Sequence, residues 1–327
     1  MDLMLELNKR ANFFNKELRK FLNNGEPVTL YDAARHLPLA GGKRLRPILA
    51  MISCETVSGD IKNVIPLAIA IELTHNFTLV HDDIMDKSKL RRNIPSVHIK
   101  YGEPTAIIAG DLLFAKSFEA IHGIASDFTV FKNVEFGLIN CVCKISEGQQ
   151  LDMEFEKRNN ITEYEYIDMI LKKTAVLFMY AAEAGAILGG GTKEQVNALN
   201  EYGKYLGLGF QIHDDYLDMS SNKKTLGKDI GNDIRNGKKT LIAVHCLNNA
   251  SGNDKKLLGK IFGNSKATNE EIKQVYNLFK KIGSIEYAKK TAIQYSEKAK
   301  KALGILPDTY AKKILFELAE YSIKREK

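Results

Sequence analysis

Two clusters of aspartates with the same D-D-x-x-D spacing suggest metal chemistry. The segment from His81 to Asp86 reads HDDIMD, and the segment from His213 to Asp218 reads HDDYLD, 132 residues later (214 − 82). Each cluster follows an apolar stretch with helical periodicity, and on a helix positions i and i+4 lie on the same face. Because like charges at that spacing destabilise a helix, we expect a bound cation to compensate.

Mg²⁺ is the cation that these carboxylates favour. It binds a few carboxylates together with phosphate oxygens and waters, rather than an all-protein cage. Asp82 and Asp86 share a face, as do Asp214 and Asp218, so two such clusters can hold several Mg²⁺ ions around one diphosphate. The alternative, a pair of solvated acidic faces, is disfavoured by the strongly apolar sequence beside each cluster. Mg²⁺ disfavours nitrogen ligands, so the histidine before each cluster is interpreted as a packing or hydrogen-bonding residue.

A basic segment upstream of the first cluster has the features of an anion site. Gly41 and Gly42 precede Lys43, Arg44 and Arg46 at the start of a predicted helix. Glycines permit a close approach of the backbone to a ligand, a helix N-terminus attracts anions, and arginine offers bidentate contacts to phosphate. The alternative for this segment is a solvated basic turn.

Further polar side chains lie near the two clusters in the sequence. A single lysine is more often a surface charge than a ligand, but their placement around two acidic clusters favours phosphate binding. These residues are Arg91 and Arg92 after the first cluster, Lys173 and Thr174 before an apolar helical run, Gln211 three residues before Asp214, and Lys228 and Lys238 after the second cluster.

Composition places the chain among globular proteins with a substantial core. It has 327 residues, of which 44% are hydrophobic, enough for one large domain or two ordinary ones. No apolar run reaches the roughly 18 residues that a membrane span needs, and the nearest, residues 175–191, is interrupted by Glu183. We therefore expect no membrane span.

The N-terminal sequence, the charge and the cysteines indicate a cytoplasmic protein with a small anionic substrate. The first residues lack the basic and then apolar order of a signal peptide. The net charge of +7 supports nucleic-acid binding only weakly, since an anionic small substrate explains it equally well. Cys54, Cys141, Cys143 and Cys246 form no C-x-x-C pair and are predicted to be buried thiols in a reducing cytoplasm.

The periodicity of apolar residues predicts an all-α chain. Apolar side chains recur at three- and four-residue spacing, with few prolines and almost no β-branched alternation. No interruption is long or polar enough to be an interdomain linker, so we expect one domain over residues 1–327. Residues 220–240, rich in Lys and Gly, are predicted to be a mobile loop. The predicted helices are 61–86, 104–125, 128–157, 162–188 and 193–219, with three more near 270–281, 284–303 and 308–324.

With these motifs the chain closely resembles the trans-isoprenyl diphosphate synthases. The motifs occur in the family's order over about residues 40–240. Asn93 is a small departure, because many members have glycine after the two arginines. The matching segments are GGKRLRP (41–47), LVHDDIMD (79–86), RR (91–92), AGDLLF (109–114), EGQQLD (147–152), KKTA (172–175), GFQIHDDYLD (209–218) and GKDIGNDIRNGKKT (227–240).

The resemblance implies a fold and a reaction. The fold is a large single-domain helical bundle around a deep central apolar cavity, usually assembled as a homodimer. The reaction is the Mg²⁺-dependent, head-to-tail condensation of an allylic diphosphate with isopentenyl diphosphate. In the family the departed diphosphate accepts the proton that is lost, so no side-chain base is assigned.

The resemblance also implies roles for particular residues. Asp82, Asp86 and Asp214 would hold three Mg²⁺ ions, and Lys43, Arg46, His75 and Arg92 would bind isopentenyl diphosphate. Arg91, Lys173, Thr174, Gln211 and Lys228 would bind the allylic diphosphate, with Lys238 close by. The residues implied to be catalytic are Asp82, Asp83, Asp86, Lys173, Asp214, Asp215 and Lys228.

Three other functions fit parts of the sequence. A terpene cyclase shares one D-D-x-x-D but usually carries a different second motif, whereas this chain repeats the first one. A non-catalytic partner subunit commonly loses carboxylates from one cluster, and this chain keeps all of them. A nucleic-acid binder is favoured by net charge alone.

The residues before the first cluster bear on product length. In the family the cavity floor lies on the helix leading into that cluster. Phe77 is five residues before Asp82, about 7.5 Å along a helix axis at about 1.5 Å per residue, and Thr78 is four before it. A bulky residue followed by a small one, with no insertion in the motif, resembles archaeal-type geranylgeranyl diphosphate synthases and predicts a C20 product. The alternatives are a farnesyl or longer-chain synthase, with Phe77 an ordinary core residue.

Overall fold

The protein is almost entirely helical, as the periodicity predicts. A computed structural model describes residues 2–158, 160–220 and 229–325. In this described part, the only strands are β1 (Leu90–Arg91) and β2 (Ile94–Pro95), which form a two-stranded antiparallel hairpin. The all-α fold class is therefore confirmed.

Most of the described residues belong to helices. In chain order these are α1 (Leu3–Phe21), α2 (Val28–Leu39), α3 (Leu45–Thr56), α4 (Ile65–Met85), α5 (Val97–Tyr101), α6 (Glu103–Ile121), α7 (Phe128–Lys157), α8 (Glu163–Ile170), α9 (Val176–Leu188), α10 (Lys193–Ser220), α11 (Asp229–Asn236), α12 (Leu241–Asn249), α13 (Gly252–Ile261), α14 (Asn269–Lys281), α15 (Ser284–Ala302) and α16 (Tyr310–Lys324). Short 3₁₀ turns occupy Ile61–Val64 and Leu303–Ile305, and a π-helical turn occupies Leu171–Ala175.

The helix boundaries agree with the predicted segments, with two differences. The segment predicted over 162–188 begins with a capping box at Thr162 and Glu165, but the π-helical turn divides it into α8 and α9. The loop predicted over 220–240 is wrong for Asp229–Asn236, which form α11, and residues 221–228 lie outside the described part. That helix forms because Ile234 buries its side chain in an apolar core, which a solvated loop would not do.

Contacts within the chain divide it into two compact units. The first comprises Met1–Val142, Leu177–Asn200 and Leu303–Glu317. The second comprises Cys143–Val176, Glu201–Ala302 and Leu318–Lys327. Each unit is built from segments that are distant in sequence, so the chain passes between them several times. The single domain expected over residues 1–327 stays a prediction.

Helix α4 lies at the centre of the first unit. Its main neighbour is α6, and α1, α2, α3 and α5 also contact it. Among the described residues, Ile61–Met85 is the one helical segment long and apolar enough to cross a membrane, and 61% of its apolar window is buried inside the protein. This burial is typical of a core helix, and it fixes the helix that carries the first aspartate cluster.

The second unit has its own apolar core. Helix α12 contacts α8, α14 and α15, and their apolar faces meet around Val275 and Phe279. Ile212 and Met219 of α10 join the same core. This packing fixes the helix that carries the second aspartate cluster.

The β-hairpin shows how Asn93 takes the place of a glycine. Arg92 and Asn93 form its turn with φ of 53° and 62°, both in the left-handed region. A two-residue type I′ turn needs positive φ at both positions, and asparagine tolerates that region better than most residues. The hairpin pairs Arg91 with Ile94. The substitution therefore leaves both arginines in defined positions.

The prediction that all four cysteines are buried is wrong for Cys143. Cys54, Cys141 and Cys246 are buried, whereas Cys143 is exposed. Two residues along a helix rotate a side chain by about 200°, so Cys143 points away from the core that Cys141 faces.

Candidate active site

The first aspartate cluster lies at the C-terminal end of α4. Asp82 is in its last turn, and Asp86 is the C-cap residue, whose N–H donates to the Asp82 carbonyl at 2.8 Å. The last turn has no basic residue. Because the C-terminal end of a helix carries partial negative charge, carboxylates there are unfavourable unless a cation binds them.

Asp83 has a different environment from its two neighbours in the cluster. Its side chain is 1% exposed, and its Oδ1 accepts a hydrogen bond from Arg91 Nε at 2.9 Å. Burial raises the pKa of Asp83, while Arg91 acts in the opposite direction. Arg91 is held 3.9 Å from Asp82 Oδ2 by this pairing. Asp83 therefore holds the Arg91 guanidinium beside the cluster.

The basic segment and the hairpin come together around Arg92. A terminal nitrogen of Arg92 donates to the Gly41 carbonyl at 2.5 Å. Gly42 has a φ of 126°, and a Cβ there would lie 3.0 Å from Arg92 Cζ, so the turn requires glycine for both reasons. Lys43 is exposed, whereas Arg44 is turned into the protein. Within this short segment Lys43 therefore faces solvent and Arg44 faces the protein interior, a difference that the sequence alone does not show.

Arg46 and His75 form a pair within the first unit. A terminal nitrogen of Arg46 lies 3.4 Å from His75 Nε2, and its Cζ lies 4.3 Å from the centroid of the Phe178 ring. Burial, and then Arg46 and the neighbouring arginines, hold the pKa of His75 well below its usual value. A neutral imidazole accepts at Nε2 when its proton is on Nδ1. His75 therefore serves as a neutral acceptor that orients Arg46.

The second aspartate cluster lies at the C-terminal end of α10. Asp218 lies in the last turn of this helix, which also lacks a basic residue, so the unfavourable helix-end charge applies to Asp218, whereas Asp214 lies one turn earlier. Asp214 forms an ion pair with Arg325, whose guanidinium lies over the ring of Phe210 at 3.9 Å. Asp218 is exposed.

Asp215 is the buried member of the second cluster. The Tyr166 hydroxyl donates to its Oδ2 at 2.8 Å, and Gln211 Nε2 donates to its Oδ1 at 3.0 Å. Thr174 in turn donates to Gln211 Oε1 at 2.9 Å. Burial raises the pKa of Asp215 to about 7, against the opposing effects of Lys238 and the two hydrogen bonds. This network fixes the orientation of the Gln211 amide.

Lys173 lies in the π-helical turn between α8 and α9. Such turns are rare and often mark functional sites. Lys173 Nζ lies 2.6 Å from Asp152 Oδ2. Gly148 faces the turn, and a Cβ there would lie 2.3 Å from the Lys173 backbone nitrogen, closer than packing allows. The EGQQLD segment thus supplies both a close approach and a carboxylate partner.

Most of the predicted allylic-site residues line one pocket in the second unit. Burial alone would lower the pKa of Lys238, but Asp233 and Asp215 raise it above its usual value, so the side chain stays charged. Lys228, predicted at the same site, lies outside the described residues. The pocket has a volume of about 50 Å³, and its lining includes Asp152, Tyr166, Lys173, Thr174, Gln211, Asp215 and Lys238.

The histidines before the two clusters make hydrogen bonds to carbonyl groups. His81 Nε2 lies 3.1 Å from the Ile107 carbonyl oxygen, and His213 Nε2 lies 3.1 Å from that of Arg325. A carbonyl oxygen only accepts, so each imidazole carries its proton on Nε2. The hydrogen-bonding role predicted for both residues is confirmed.

Phe77 begins a row of aromatic rings that continues onto α6. Its ring centroid lies 5.3 Å from that of Phe114, which lies 5.2 Å from that of Phe118, and both contacts are edge-to-face. Thr78 is partly buried and donates to the His75 carbonyl at 2.8 Å. Phe77 therefore packs against aromatic rings of α6, whereas Thr78 hydrogen-bonds to the backbone of its own helix.

Comparison with known proteins decides the family. The polyprenyl synthetase family model matches residues 27–279, which include every motif described above. The chain belongs to the polyprenyl synthetase family. Membership confirms the resemblance carried by the motifs and identifies the protein as a prenyltransferase of isoprenoid biosynthesis.

Individual members are similar to this polyprenyl synthetase over its whole length. The geranylgeranyl diphosphate synthase of Methanosarcina mazei is 42% identical over 327 residues, covering 100% of this chain and 99% of the relative. The short chain isoprenyl diphosphate synthase of Methanothermobacter thermautotrophicus is 43% identical over 326 residues, covering 100% and 99%. The crystal structure of geranylgeranyl pyrophosphate synthetase from Pyrococcus horikoshii has a TM-score of 0.93 at 42% identity, covering 99% of this chain and 98% of that chain.

Three residues of this polyprenyl synthetase site had no role assigned from the sequence. Asp152 closes the EGQQLD motif, so a signal for it was present. Tyr166 and Arg325 lie outside every motif. Arg325 is 111 residues from its partner Asp214, and only the fold brings the two together.

The donor set fits the divalent cation on which polyprenyl synthetases generally depend. Asp82, Asp86 and Asp214 offer only carboxylate oxygens, which Mg²⁺ prefers; Asp82 and Asp86 lie at the negatively charged end of α4, and Asp214 lies within two turns of the end of α10. Among the residues that the structure describes, no three His, Cys, Asp or Glu side chains converge into a preformed cage. Mg²⁺ that is bound together with phosphate oxygens does not need one.

The neutral state of His75 leads to a prediction about pH. Because its pKa in the folded protein lies well below 6.5, we expect the ring to stay neutral as the pH falls from about 8 to about 6. The unfolded chain gains this proton near pH 6.5, so the contribution of His75 to stability is present above that pH and is lost below it. NMR of ¹⁵N-histidine-labelled protein measures the titration, with His75→Gln assigning the signal. A midpoint near 6.5 for His75 would contradict the assignment of a neutral acceptor.

Proposed function

We propose that this enzyme condenses isopentenyl diphosphate with an allylic diphosphate, head to tail, in a Mg²⁺-dependent prenyl transfer. The observation that carries the proposal is the pair of aspartate clusters at the negative ends of α4 and α10, each with its own set of cations. Joining two diphosphates requires two anion-binding regions, and the chain has cations for both. The names of the relatives, which describe prenyl diphosphate synthesis, agree with this reaction.

Lys43, Arg46, His75 and Arg92 are proposed to bind isopentenyl diphosphate. Arg46 contacts the neutral imidazole of His75 and an aromatic face, and Arg92 donates to backbone carbonyls, so these particular partners do not neutralise either guanidinium group. A charged guanidinium with a fixed plane binds a phosphate through two parallel hydrogen bonds.

The allylic diphosphate is proposed to bind Arg91, Lys173, Thr174, Gln211 and Lys238, with Lys228 as a further ligand. Support comes from the pocket that Lys173, Thr174, Gln211 and Lys238 line, and from Arg91 beside Asp82. Asp82, Asp86 and Asp214 are proposed to hold three Mg²⁺ ions. When bound, the metal neutralises the charge that builds on the leaving diphosphate.

The chain's own residues would promote ionisation of the allylic substrate. Breaking its carbon–oxygen bond leaves an allylic carbocation and a diphosphate anion, and Lys173 and Arg91 stabilise the anion as preorganised donors. The double bond of isopentenyl diphosphate attacks the cation, and the resulting cation loses a proton to the departed diphosphate. Asp83 and Asp215 are buried, so we assign them the positioning of Arg91 and Gln211 rather than contact with metal.

The rival functions lack a specific supporting observation. A cyclase has no need for the second diphosphate site that Arg46 and Arg92 would form. A non-catalytic subunit has no need for complete aspartate clusters on both α4 and α10.

We further propose that residues 1–327 act as one catalytic domain in the cytoplasm, since the family model covers most of both units.

Replacing Asp82 by asparagine tests the metal-dependent reaction. Asn keeps the volume of the side chain but loses its charge and one of its two acceptor oxygens, so we expect the condensation rate to fall on the order of 10²–10³-fold or more. Asp214→Asn should have a similar effect. The measurement is incorporation of radiolabelled isopentenyl diphosphate into an allylic primer over a range of Mg²⁺ concentrations.

Asp308→Asn is the matched control, because Asp308 is an exposed carboxylate outside every motif and pairs with Lys312 at 2.9 Å. It should retain normal turnover, and circular dichroism should show that all three variants are folded. Near-normal turnover of Asp82→Asn at low Mg²⁺ would contradict the proposed role of this carboxylate.

We propose that the product is geranylgeranyl diphosphate, with farnesyl or longer products as the alternatives. Support comes from Phe77, which packs against Phe114 one and a half turns before Asp82, and from the smaller Thr78 beside it. An aromatic ring at that depth limits the length of an apolar chain that starts at the metal site. The name of the Methanosarcina mazei relative agrees with a C20 product.

Removing the ring of Phe77 should lengthen the product. An elongating chain gains about 0.8 kcal/mol per buried CH₂, so it should enter the space opened by Phe77→Ala and shift products from C20 toward C25 and longer. Thr78→Phe should shift products toward C15 by filling space nearer the metals. Chromatography of dephosphorylated products measures the distribution. An unchanged distribution from an active Phe77→Ala enzyme would place the floor elsewhere.

We propose that the enzyme is a homodimer that buries the α6–α7 surface, defined here as Ile107, Ile108, Phe136 and Ile139. Each of these large apolar side chains is at least 40% exposed, and Phe136 is 61% exposed. Large apolar side chains left exposed on two successive helices are candidates for burial in a protein interface. A second copy of the chain is the occupant that the family resemblance implies.

A charge in the α6–α7 surface should dissociate the dimer. Burying a carboxylate without a partner is costly, so Phe136→Asp should sediment at the 36.7 kDa mass of one chain while the wild type sediments at twice that mass. Tyr164→Asp is the control, because Tyr164 is an exposed aromatic residue on α8. A wild-type enzyme that sediments as a monomer would refute the proposal.

A further inference from the structure

Glu72 is a buried carboxylate that the proposed chemistry does not use. It lies in the middle of α4 and is 1% exposed. Burying a charged carboxylate is unfavourable unless it is paired with a cation and hydrogen-bonded. The partners of Glu72 therefore indicate the role of this buried charge.

Two arginines and an asparagine converge on one oxygen of Glu72. Arg44 donates to Oε1, and both of these side chains are 2% exposed. Asn76 Nδ2 donates to the same oxygen at 2.8 Å, and a terminal nitrogen of Arg92 lies 3.8 Å from it. One carboxylate thus links α4 to the basic segment and to the hairpin turn.

Arg44 connects Glu72 to the backbone of the basic segment. Arg44 is the N-cap residue of α3 and has a φ of 50°, in the left-handed region. Its Nε donates to Asn15 Oδ1 at 3.0 Å, and another nitrogen donates to the Pro38 carbonyl. The chain between Lys43 and Arg46 is therefore held by a side chain anchored on α1, α2 and α4.

Arg92 is held between this carboxylate and the start of the same segment. One of its terminal nitrogens donates to the carbonyl groups of Gly41 and Leu37, and the other faces Glu72. These acceptors fix the plane of the guanidinium.

We propose that Glu72 is a positioning residue for isopentenyl diphosphate. It holds Arg92 directly, and through Arg44 it holds the segment that carries Lys43 and Arg46, in the orientation that meets the diphosphate. The inference rests on the proposed binding of isopentenyl diphosphate by those three cations. Glu72 acts through the arginines and touches no substrate. Its loss should therefore affect one substrate and spare the other.

Glu72→Gln tests this selectivity. Gln keeps the shape of the side chain but removes the charge that holds the arginines. We expect the KM for isopentenyl diphosphate to rise about tenfold, while kcat and the KM for the allylic primer stay within about twofold. The matched control is Glu55→Gln. In the wild type the Glu55 carboxylate pairs with Arg10 at 2.8 Å, linking α3 to α1. Glu55→Gln should leave all three constants unchanged. An unchanged or lower KM for isopentenyl diphosphate, or equal increases for both substrates, would overturn the proposal.

A double-mutant cycle tests whether Glu72 acts through Arg92. Arg92→Lys alone should raise the KM for isopentenyl diphosphate, because lysine cannot reproduce the planar contact. In that background, Glu72→Gln should raise the KM by a smaller factor than it does in the wild type, because only its effect through Arg44 remains and residues that act as one unit are not additive. Full additivity of the two effects would show that Glu72 does not position Arg92.

A second variant covers the case in which Glu72→Gln does not fold, because it leaves Arg44 as a buried unpaired charge. Arg44→Met combined with Glu72→Gln removes both members of the pair, which proteins commonly tolerate. This variant should show the same selective increase in KM, and a normal KM would overturn the proposal. Wild-type enzyme that does not consume isopentenyl diphosphate would instead refute the proposed function. Normal wild-type turnover with impaired Arg92→Lys and unimpaired Glu72→Gln would refute the inference alone.

Discussion

The negative charge at the ends of α4 and α10 is the constraint on which the rest of the site depends. Each helix ends in aspartates and has no basic residue in its last turn. A carboxylate at a helix C-terminus costs about 0.3–1 kcal/mol, and like charges one turn apart add a few tenths more. The protein offsets part of this cost with one arginine for each cluster, Arg91 on Asp83 and Arg325 on Asp214. A metal–diphosphate complex is well suited to offset the remainder.

The second aspartate of each cluster has a role distinct from the first and last. Asp83 and Asp215 occupy equivalent positions in D-D-x-x-D, and both are buried, about 100° around the helix from the preceding aspartate. Asp83 anchors Arg91, while Asp215 binds Tyr166 and Gln211. Each cluster therefore combines side chains that face outward with one that organises its surroundings. The spacing supports this division, because residues i and i+4 share a face that residue i+1 does not.

The sequence was sufficient for the all-α class, the family, the members of the two clusters and the eight helical segments given above, whereas helices such as α1 and α12 were not predicted. Periodicity located α7 and α10 because their apolar faces are long and regular. It did not reveal the burial of Asp83 and Asp215, because a polarity pattern counts every aspartate as outward-facing. Periodicity also did not distinguish Arg44 from its neighbours, because the Arg44 side chain points inward to pair with Glu72, which is 28 residues away. The π-helical turn at Lys173 was not predicted either, because the helix after it is apolar on nearly every face, so the phase shift of about 100° that one extra residue introduces could not be recognised.

The two arginines proposed to bind isopentenyl diphosphate are held by different partners, and in both cases the binding surface stays positive. Arg46 is oriented by a neutral imidazole and an aromatic ring, neither of which cancels its charge. Arg92 lies 3.8 Å from the Glu72 carboxylate, which would weaken its attraction for a diphosphate if Glu72 stood alone. Arg44 makes the closer contact with that carboxylate, so the buried pair sums to zero charge. An inward-facing arginine thereby lets a carboxylate orient Arg92 while the surface that would meet the substrate stays positive.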